Sequence, residues 1–149
     1  MRSMLAAALA LLLLAGCGGN TKTKNDYVAA VNRAQTDFVS VVDDSESRIS
    51  GSASNADTAT QLDLIRAAAA KVVVRLRGLK PPGGAEKLHT SLVHEAEGLV
   101  AAFQRAATAY KSGDPAKILT AKVNLSKDVA RVNQQLNATI QALNSKLHS

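Results

Sequence analysis

The chain is poor in the residues that build covalent cross-links and flat binding surfaces. It has one cysteine, no tryptophan and four other aromatic residues, namely Tyr27, Phe38, Phe103 and Tyr110. A single cysteine excludes a disulfide within the chain, so packing alone must stabilise the fold. So few aromatic side chains argue against a sugar-binding platform or a surface on which nucleic-acid bases stack. No alternating strand pattern, Asn-Gly hairpin or internal repeat occurs either, which argues against a β fold.

The N-terminus combines one basic residue, an apolar run and the single cysteine. Arg2 precedes eleven apolar residues, Met4 to Leu14, and Ala15, Gly16 and Cys17 follow. Eleven helical residues cover about 16 Å, roughly half the hydrocarbon thickness of a membrane. The run is therefore typical of a cleaved secretory signal and too short for a membrane span.

Leu14-Ala15-Gly16-Cys17 resembles the lipobox of bacterial lipoproteins. The resemblance implies that signal peptidase recognises Leu14, Ala15 and Gly16, that the Cys17 thiol carries diacylglycerol, and that the signal is cut before Cys17. It also implies a location at the extracytoplasmic face of the cell membrane. Two or three acyl chains would hold the protein there, because one chain anchors only marginally. The alternative is an ordinary secretory signal followed by an unmodified cysteine.

These features predict three segments: a signal peptide over residues 1–16, a lipidated cysteine and tether over 17–24, and a helical domain over 25–149. Residues 18–24 contain no apolar side chain, and seven extended residues reach about 25 Å. Without Arg2 the mature chain has 17 basic and 12 acidic residues and a net charge of +5. The basic residues are spread along the chain, which argues against a nucleic-acid-binding arm.

Four segments of the domain carry apolar residues at intervals of three and four, the period of an α-helix. The clearest stripes are Tyr27, Val31, Ala34, Phe38 and Ile49; Leu62, Ile65, Ala69, Val72, Leu76 and Leu79; Leu88, Leu92, Ala96, Leu99, Phe103, Ala106 and Tyr110; and Ile118, Leu125, Val129, Val132, Leu136, Ile140, Leu143 and Leu147. Four such helices with short links bury their stripes most simply in an antiparallel up-down four-helix bundle. We therefore predict an all-α fold of this kind.

Glycine, proline and short polar residues mark the predicted helix ends. Asp57 or Thr58 is expected to cap the second helix, and Gly78 is expected to end it in a left-handed conformation. The prolines in residues 80–84 forbid its continuation. In Gly113-Asp114-Pro115, the glycine ends the third helix, the aspartate caps the fourth, and the proline fits its first turn.

Small residues predict close contacts between helices. Gly98, inside the third helix, indicates a close approach of a neighbouring helix. Further small residues are the alanines Ala67–Ala70, Ala101, Ala102, Ala106 and Ala107. We expect these seams to pack tightly and to leave no cavity of a few hundred Å³.

Two stretches resemble a class of small, uncharacterised helical lipoproteins of actinobacteria. One is Tyr27-Val28-Ala29-Ala30-Val31-Asn32 behind the lipobox and a Lys/Thr tether. The other runs from Leu76 to Pro82 and is followed by Leu88-His89 and Leu92-Val93. The resemblance covers most of the mature chain and implies the helical fold and the membrane location. It implies no activity and no functional residues.

Residues that could carry chemistry are few. Glu86 and His89 have the Glu-x-x-His spacing of di-iron bundles, but neither His94 nor His148 has an acid three residues before it. A second such motif would be needed, so we interpret Glu86 and His89 as a solvated helix start. No Gly-x-Ser-x-Gly turn or serine with a nearby histidine occurs. We predict no enzyme activity, no metal and no cofactor.

Basic residues concentrate at the end of the predicted bundle where the tether enters. They are Lys22, Lys24, Arg75, Arg77, Lys80, Lys87 and Lys146. One hypothesis is that this end faces anionic lipid headgroups, each charge contributing about 1 kcal/mol. The alternative is that basic residues at helix C-termini complement the helix dipole.

The sequence favours a non-enzymatic interaction module at the cell envelope, anchored through Cys17 and able to bind another envelope protein. The alternative is a carrier or sensor of a small apolar ligand or lipid held between the helices. A third interpretation is self-association through apolar residues left outside the core, for which Val73, Val93 and Val100 are candidates.

Overall fold

The chain folds into four α-helices. A computed structural model describes residues 22–51 and 54–148. Helix α1 spans Lys22–Gly51, α2 Asn55–Arg77, α3 Glu86–Ser112 and α4 Pro115–His148. Because α1 begins at Lys22, the last three residues of the predicted tether belong to the first helix. The lipobox, Cys17 and the rest of the tether lie outside the described residues.

The helices form an antiparallel bundle in which consecutive helices pack side by side. Close backbone packing joins α1 to α2, α2 to α3, and α3 to α4. Lys111, late in α3, contacts Asp63, early in α2, at 2.5 Å. At the opposite end, the Lys24 Nζ of α1 donates a hydrogen bond to the Leu147 carbonyl of α4 at 2.9 Å. The all-α bundle predicted from the apolar stripes is thus confirmed.

The core consists of two clusters along the bundle axis. The cluster towards the α1–α2 link includes Phe38, Leu62 and Phe103. The cluster towards the α2–α3 link includes Tyr27, Leu76, Leu92 and Leu143. Burying one such aliphatic or aromatic side chain contributes about 1.5–3 kcal/mol, so the stripes supply most of the driving force.

Two predicted helix ends differ from the structure. Ser54 caps α2 and lies three residues before Asp57, the first predicted cap. Its Oγ accepts a hydrogen bond from the Asp57 N–H at 3.0 Å and donates one to Asp57 Oδ2 at 2.7 Å. Ser54 thus satisfies the Asp57 N–H at the helix start, whereas the Thr58 hydroxyl donates to the Ser54 carbonyl at 3.1 Å. Gly78 adopts a right-handed conformation, with φ −78° and ψ −9°, so its N–H bonds back to carbonyls of the last turn without a left-handed cap.

The link between α3 and α4 matches its prediction. Gly113 has φ +66°, and Asp114 Oδ1 accepts hydrogen bonds from the Ala116 and Lys117 N–H groups at 2.9 and 3.3 Å. Pro115 is the first residue of α4. The prediction for Gly98 is also confirmed, because a Cβ atom there would lie 3.4 Å from Cγ2 of Val132 on α4.

The apolar residues that we proposed for self-association are part of the core. Val73 is buried, and Val93 and Val100 are half-buried and pack against the core clusters. Val73 is therefore not accessible to a second copy of the chain, and self-association stays a prediction. The most exposed neighbouring pair of large apolar residues on α4 is Leu119 and Val123, at 65% and 45% exposure.

Candidate ligand-binding cavities

The predicted basic end gathers lysines from three parts of the chain. Lys24 binds the Leu147 carbonyl, Lys80 is exposed within the α2–α3 link, and Lys87 is exposed in the first turn of α3. The Lys146 stem crosses this link, with Cε 3.0 Å from the position that a Cβ atom of Gly84 would occupy. Lys22 lies in the first turn of α1.

The two arginines of that set bind carboxylates on neighbouring helices. Arg75 pairs with Asp37 of α1, and Arg77 pairs with Glu97 of α3 at 2.5 Å. Glu97 also lies 3.7 Å from His94, the surface pair that their spacing allowed. Both arginines therefore stabilise helix contacts on the sides of the bundle, and the basic end is smaller than the sequence indicated.

His89 is a core residue, which corrects its interpretation as part of a solvated helix start. It is 8% exposed, and its Nδ1 lies 3.1 Å from the hydroxyl of Tyr27, which is also buried. The two rings meet edge to face at 5.8 Å. Burial lowers the pKa of His89 and raises the pKa of Tyr27 to about 12, so the pair is neutral at pH 7.

The described helices show neither a membrane span nor a metal site. Across residues 22–51 and 54–148, no helix is long and apolar enough to cross a bilayer. Within the same ranges, no three His, Cys, Asp or Glu residues come together as a metal-binding group. Glu86, from the Glu-x-x-His motif, is exposed, and backbone N–H groups at its helix start lower its pKa.

An apolar cavity that is open to solvent on one side lies near the α1–α2 link, and we call it the distal cavity. Its volume is about 390 Å³, within the 300–1,000 Å³ typical of small-molecule sites. Ile49 of α1, Leu62 of α2 and Tyr110 of α3 line it, together with seven residues of α4, namely Ala121, Lys122, Val123, Leu125, Ser126, Lys127 and Val129. The alanine seams fill the α2–α3 contact, where Ala68, Ala69, Ala106 and Ala107 are buried. They do not fill the space against α4, so the expectation that no such cavity exists was wrong.

Two lysines line the distal cavity. Lys122 Nζ lies 5.9 Å from the centroid of the Tyr110 ring, and Lys127 lies just over one turn further along α4. Neither ammonium group has a carboxylate within salt-bridge distance among the described residues. By contrast, Lys117 and Arg131 on the same helix are paired with Asp114 and Asp128.

A second, smaller cavity of about 70 Å³ lies in the middle of the bundle, and we call it the central cavity. Apolar residues of all four helices line it, together with Gln35, Asn133 and Asn137. Asn133 is 7% exposed, and its Nδ2 has no hydrogen-bond partner within the described part of the chain. Leaving a buried amide group unpaired costs about 1–3 kcal/mol, so Asn133 lowers the stability of the fold.

Two half-buried carboxyl groups also carry a buried oxygen without a partner in residues 22–51 and 54–148. Glu95 Oε1 accepts from the Thr139 hydroxyl at 2.8 Å, whereas its Oε2 is unpaired. Oε1 of Glu46, one turn before Ile49, is unpaired as well. Burial is the main cause that raises the pKa of both carboxyl groups.

Comparisons with known proteins find no match to a protein-family model, to a curated protein or to a solved structure. Function is therefore inferred from the cavities and from the sequence features.

Proposed function

We propose that this protein is a lipid-anchored, non-enzymatic binding protein of the cell envelope that holds a small apolar molecule in its distal cavity. The distal cavity carries the proposal, because a largely apolar space of about 390 Å³ is suited to a small molecule and is poorly suited to a peptide or a protein surface.

The membrane anchor remains a proposal from the sequence. The lipobox Leu14 to Cys17 supports it, as does the resemblance to the actinobacterial lipoproteins. Cells expressing the full chain would be fed an alkyne-bearing fatty acid, and the protein would be tested for incorporated label. We expect label on the wild type and none on Cys17→Ala; equal labelling of both would contradict anchoring through Cys17.

Occupation of the distal cavity can be tested with an apolar fluorescent dye such as N-phenyl-1-naphthylamine. Ala121 is half-buried and lines this cavity, so Ala121→Phe should fill it. Ala130 is exposed on the same helix and lines neither cavity, which makes Ala130→Phe a matched control. We expect the wild type and Ala130→Phe to bind the dye and Ala121→Phe to lose at least tenfold in affinity, about 1.4 kcal/mol.

Equal dye binding by all three proteins would place the dye elsewhere and contradict the proposal. Folding of each variant would be checked by circular dichroism, with Ala121→Leu as a smaller filling substitution. Any loss that follows side-chain volume at residue 121 then reports on the cavity rather than on misfolding.

A second candidate is the interaction module favoured by the sequence. Leu119 and Val123 support it, because they lie one turn apart on α4 and expose large apolar side chains. In-cell crosslinking of the tagged protein would show one reproducible envelope partner if this function applies. Loss of that crosslink in Leu119→Ser, which lies outside the distal cavity, would locate the contact.

A further inference from the structure

We infer that the molecule in the distal cavity is an anionic single-chain amphiphile, whose negative group binds Lys122 and Lys127 and whose hydrocarbon chain lies inside. This inference rests on the proposed function and specifies its ligand class. It depends on two features of the cavity, namely its apolar lining and the two lysines at its opening.

The apolar part of the site is defined by side chains that a hydrocarbon would contact. Leu62, Ala106 and Val129 line the cavity and are buried, and Leu125 is half-buried beside them. None of these four carries a polar side-chain atom. Hydrocarbon buried here gains about 0.8 kcal/mol per methylene, so chain length contributes the larger part of the affinity.

The charged part is the pair Lys122 and Lys127. Both are on α4, line the cavity and are exposed, so each ammonium group can bind an anion at the cavity opening while its stem lies along apolar surface. Asp128 does not neutralise Lys127, although it is the next residue. Its carboxylate binds Arg105 at 2.6 Å and Arg131 at 3.1 Å, on another side of α4.

Several basic groups elsewhere on the bundle bind carboxylates of the protein itself. Lys111 binds Asp63, Arg75 binds Asp37, and Arg77 binds Glu97. These three basic groups are matched by carboxylates, whereas Lys122 and Lys127 have no carboxylate within salt-bridge distance among the described residues. A negatively charged group on the ligand would pair with the ammonium groups of Lys122 and Lys127.

The two lysines and the cavity volume define the headgroup and the number of hydrocarbon chains. A carboxylate or a phosphate head would both satisfy Lys122 and Lys127. The hydrocarbon must be a single chain, because a cavity of about 390 Å³ lies near the small end of ligand sites.

The test compares two photoactivatable probes of equal chain length. One is a palmitic acid analogue with a diazirine in the chain and a terminal alkyne; the other is the corresponding hexadecanol analogue. Each would be added to the lipidated full-length protein in nonionic detergent, and crosslinked residues would be identified by mass spectrometry. A lysophosphatidic acid analogue as a third probe distinguishes a phosphate head from a carboxylate.

We expect the acid to label residues 121–129 or Tyr110 about tenfold more than the alcohol does. Lys122→Gln/Lys127→Gln should remove this preference, so that the acid and the alcohol label the variant to a similar extent. Lys71→Gln/Lys87→Gln removes two exposed charges outside the distal cavity and should keep the preference.

Equal labelling by acid and alcohol, unaffected by Lys122→Gln/Lys127→Gln, would overturn the inference and leave the proposed function standing. Labelling of the wild type by none of the probes, or crosslinks only to a second copy of the chain, would overturn both. Labelling confined to Leu119 and the outer face of α4 would also overturn both, because the probe would then lie outside the distal cavity.

Discussion

The Tyr27 hydroxyl and the His89 Nδ1 lie 3.1 Å apart inside the core and join the start of α1 to the start of α3. Burial disfavours charge on either ring, so the hydrogen bond holds two neutral groups together. Such a pair between helices that are not consecutive helps to fix their register.

Tyr27→Phe removes the partner of His89 and leaves a buried imidazole nitrogen unpaired. We expect a loss of about 1–2 kcal/mol in the free energy of unfolding, measured by urea denaturation. Tyr110→Phe is the control, because Tyr110 is also a buried tyrosine, and its ring contacts the Lys122 ammonium group rather than a buried polar partner. Equal losses in both variants would show that the hydroxyl of Tyr27 has no special role.

His89 should also make stability depend on pH. Its pKa is lowered in the folded state, so the unfolded chain binds the proton more readily, and stability should fall as pH decreases from about 7 through the unfolded pKa of about 6.5. The glutamine side chain of His89→Gln does not titrate. The melting temperature of this variant should therefore change less than that of the wild type between pH values of about 7.5 and 5.5. If the melting temperatures of the wild type and His89→Gln fall equally over this range, His89 does not cause the pH dependence of stability.

The left-handed Gly113 should be sensitive to substitution. Gly113→Ala places a Cβ atom at φ +66°, which we expect to cost about 1 kcal/mol. Gly83→Ala is the matched control, because Gly83 lies outside the left-handed region and a Cβ atom there would have no neighbour within 4 Å. Thermal unfolding of both variants checks this; a destabilised Gly83→Ala with an unaffected Gly113→Ala would contradict it.

Asn133→Leu should stabilise the protein, since it replaces an unpaired buried amide with an apolar side chain of similar size. We expect a gain of about 1 kcal/mol in the free energy of unfolding. Asn124→Leu, at an exposed position of α4, should change stability little. A loss on Asn133→Leu would mean that the amide contributes to the fold in a way that its contacts do not show.

The sequence predicted the bundle well because helical periodicity and turn chemistry are local properties. The stripes from Tyr27 to Leu147 and the Gly113-Asp114-Pro115 link depend on neighbours within a few residues. The interpretation of His89 was wrong for the opposite reason, because its partner Tyr27 lies 62 residues away. Only the packed structure shows that its polar atom is satisfied by a buried hydroxyl.

The cavities could not be predicted in the same way. Alanine content indicated tight packing, and that is correct between α2 and α3, where Ala69 and Ala107 are buried. The space beside α4 depends on how far that helix stands from the others. One signal was available in the sequence: Asn133 follows Val132 on the apolar stripe of α4, and an amide there has no obvious partner.

The most direct test of ligand binding is to identify what the protein carries from the cell. Lipidated protein would be purified from membranes as wild type, Ala121→Phe and Ala130→Phe, extracted with organic solvent, and the extracts compared by mass spectrometry. We predict one or a few anionic single-chain amphiphiles in the wild type and Ala130→Phe, and a loss of at least several-fold in Ala121→Phe. An extract with no enriched species, or one that Ala121→Phe leaves unchanged, would contradict binding in the distal cavity.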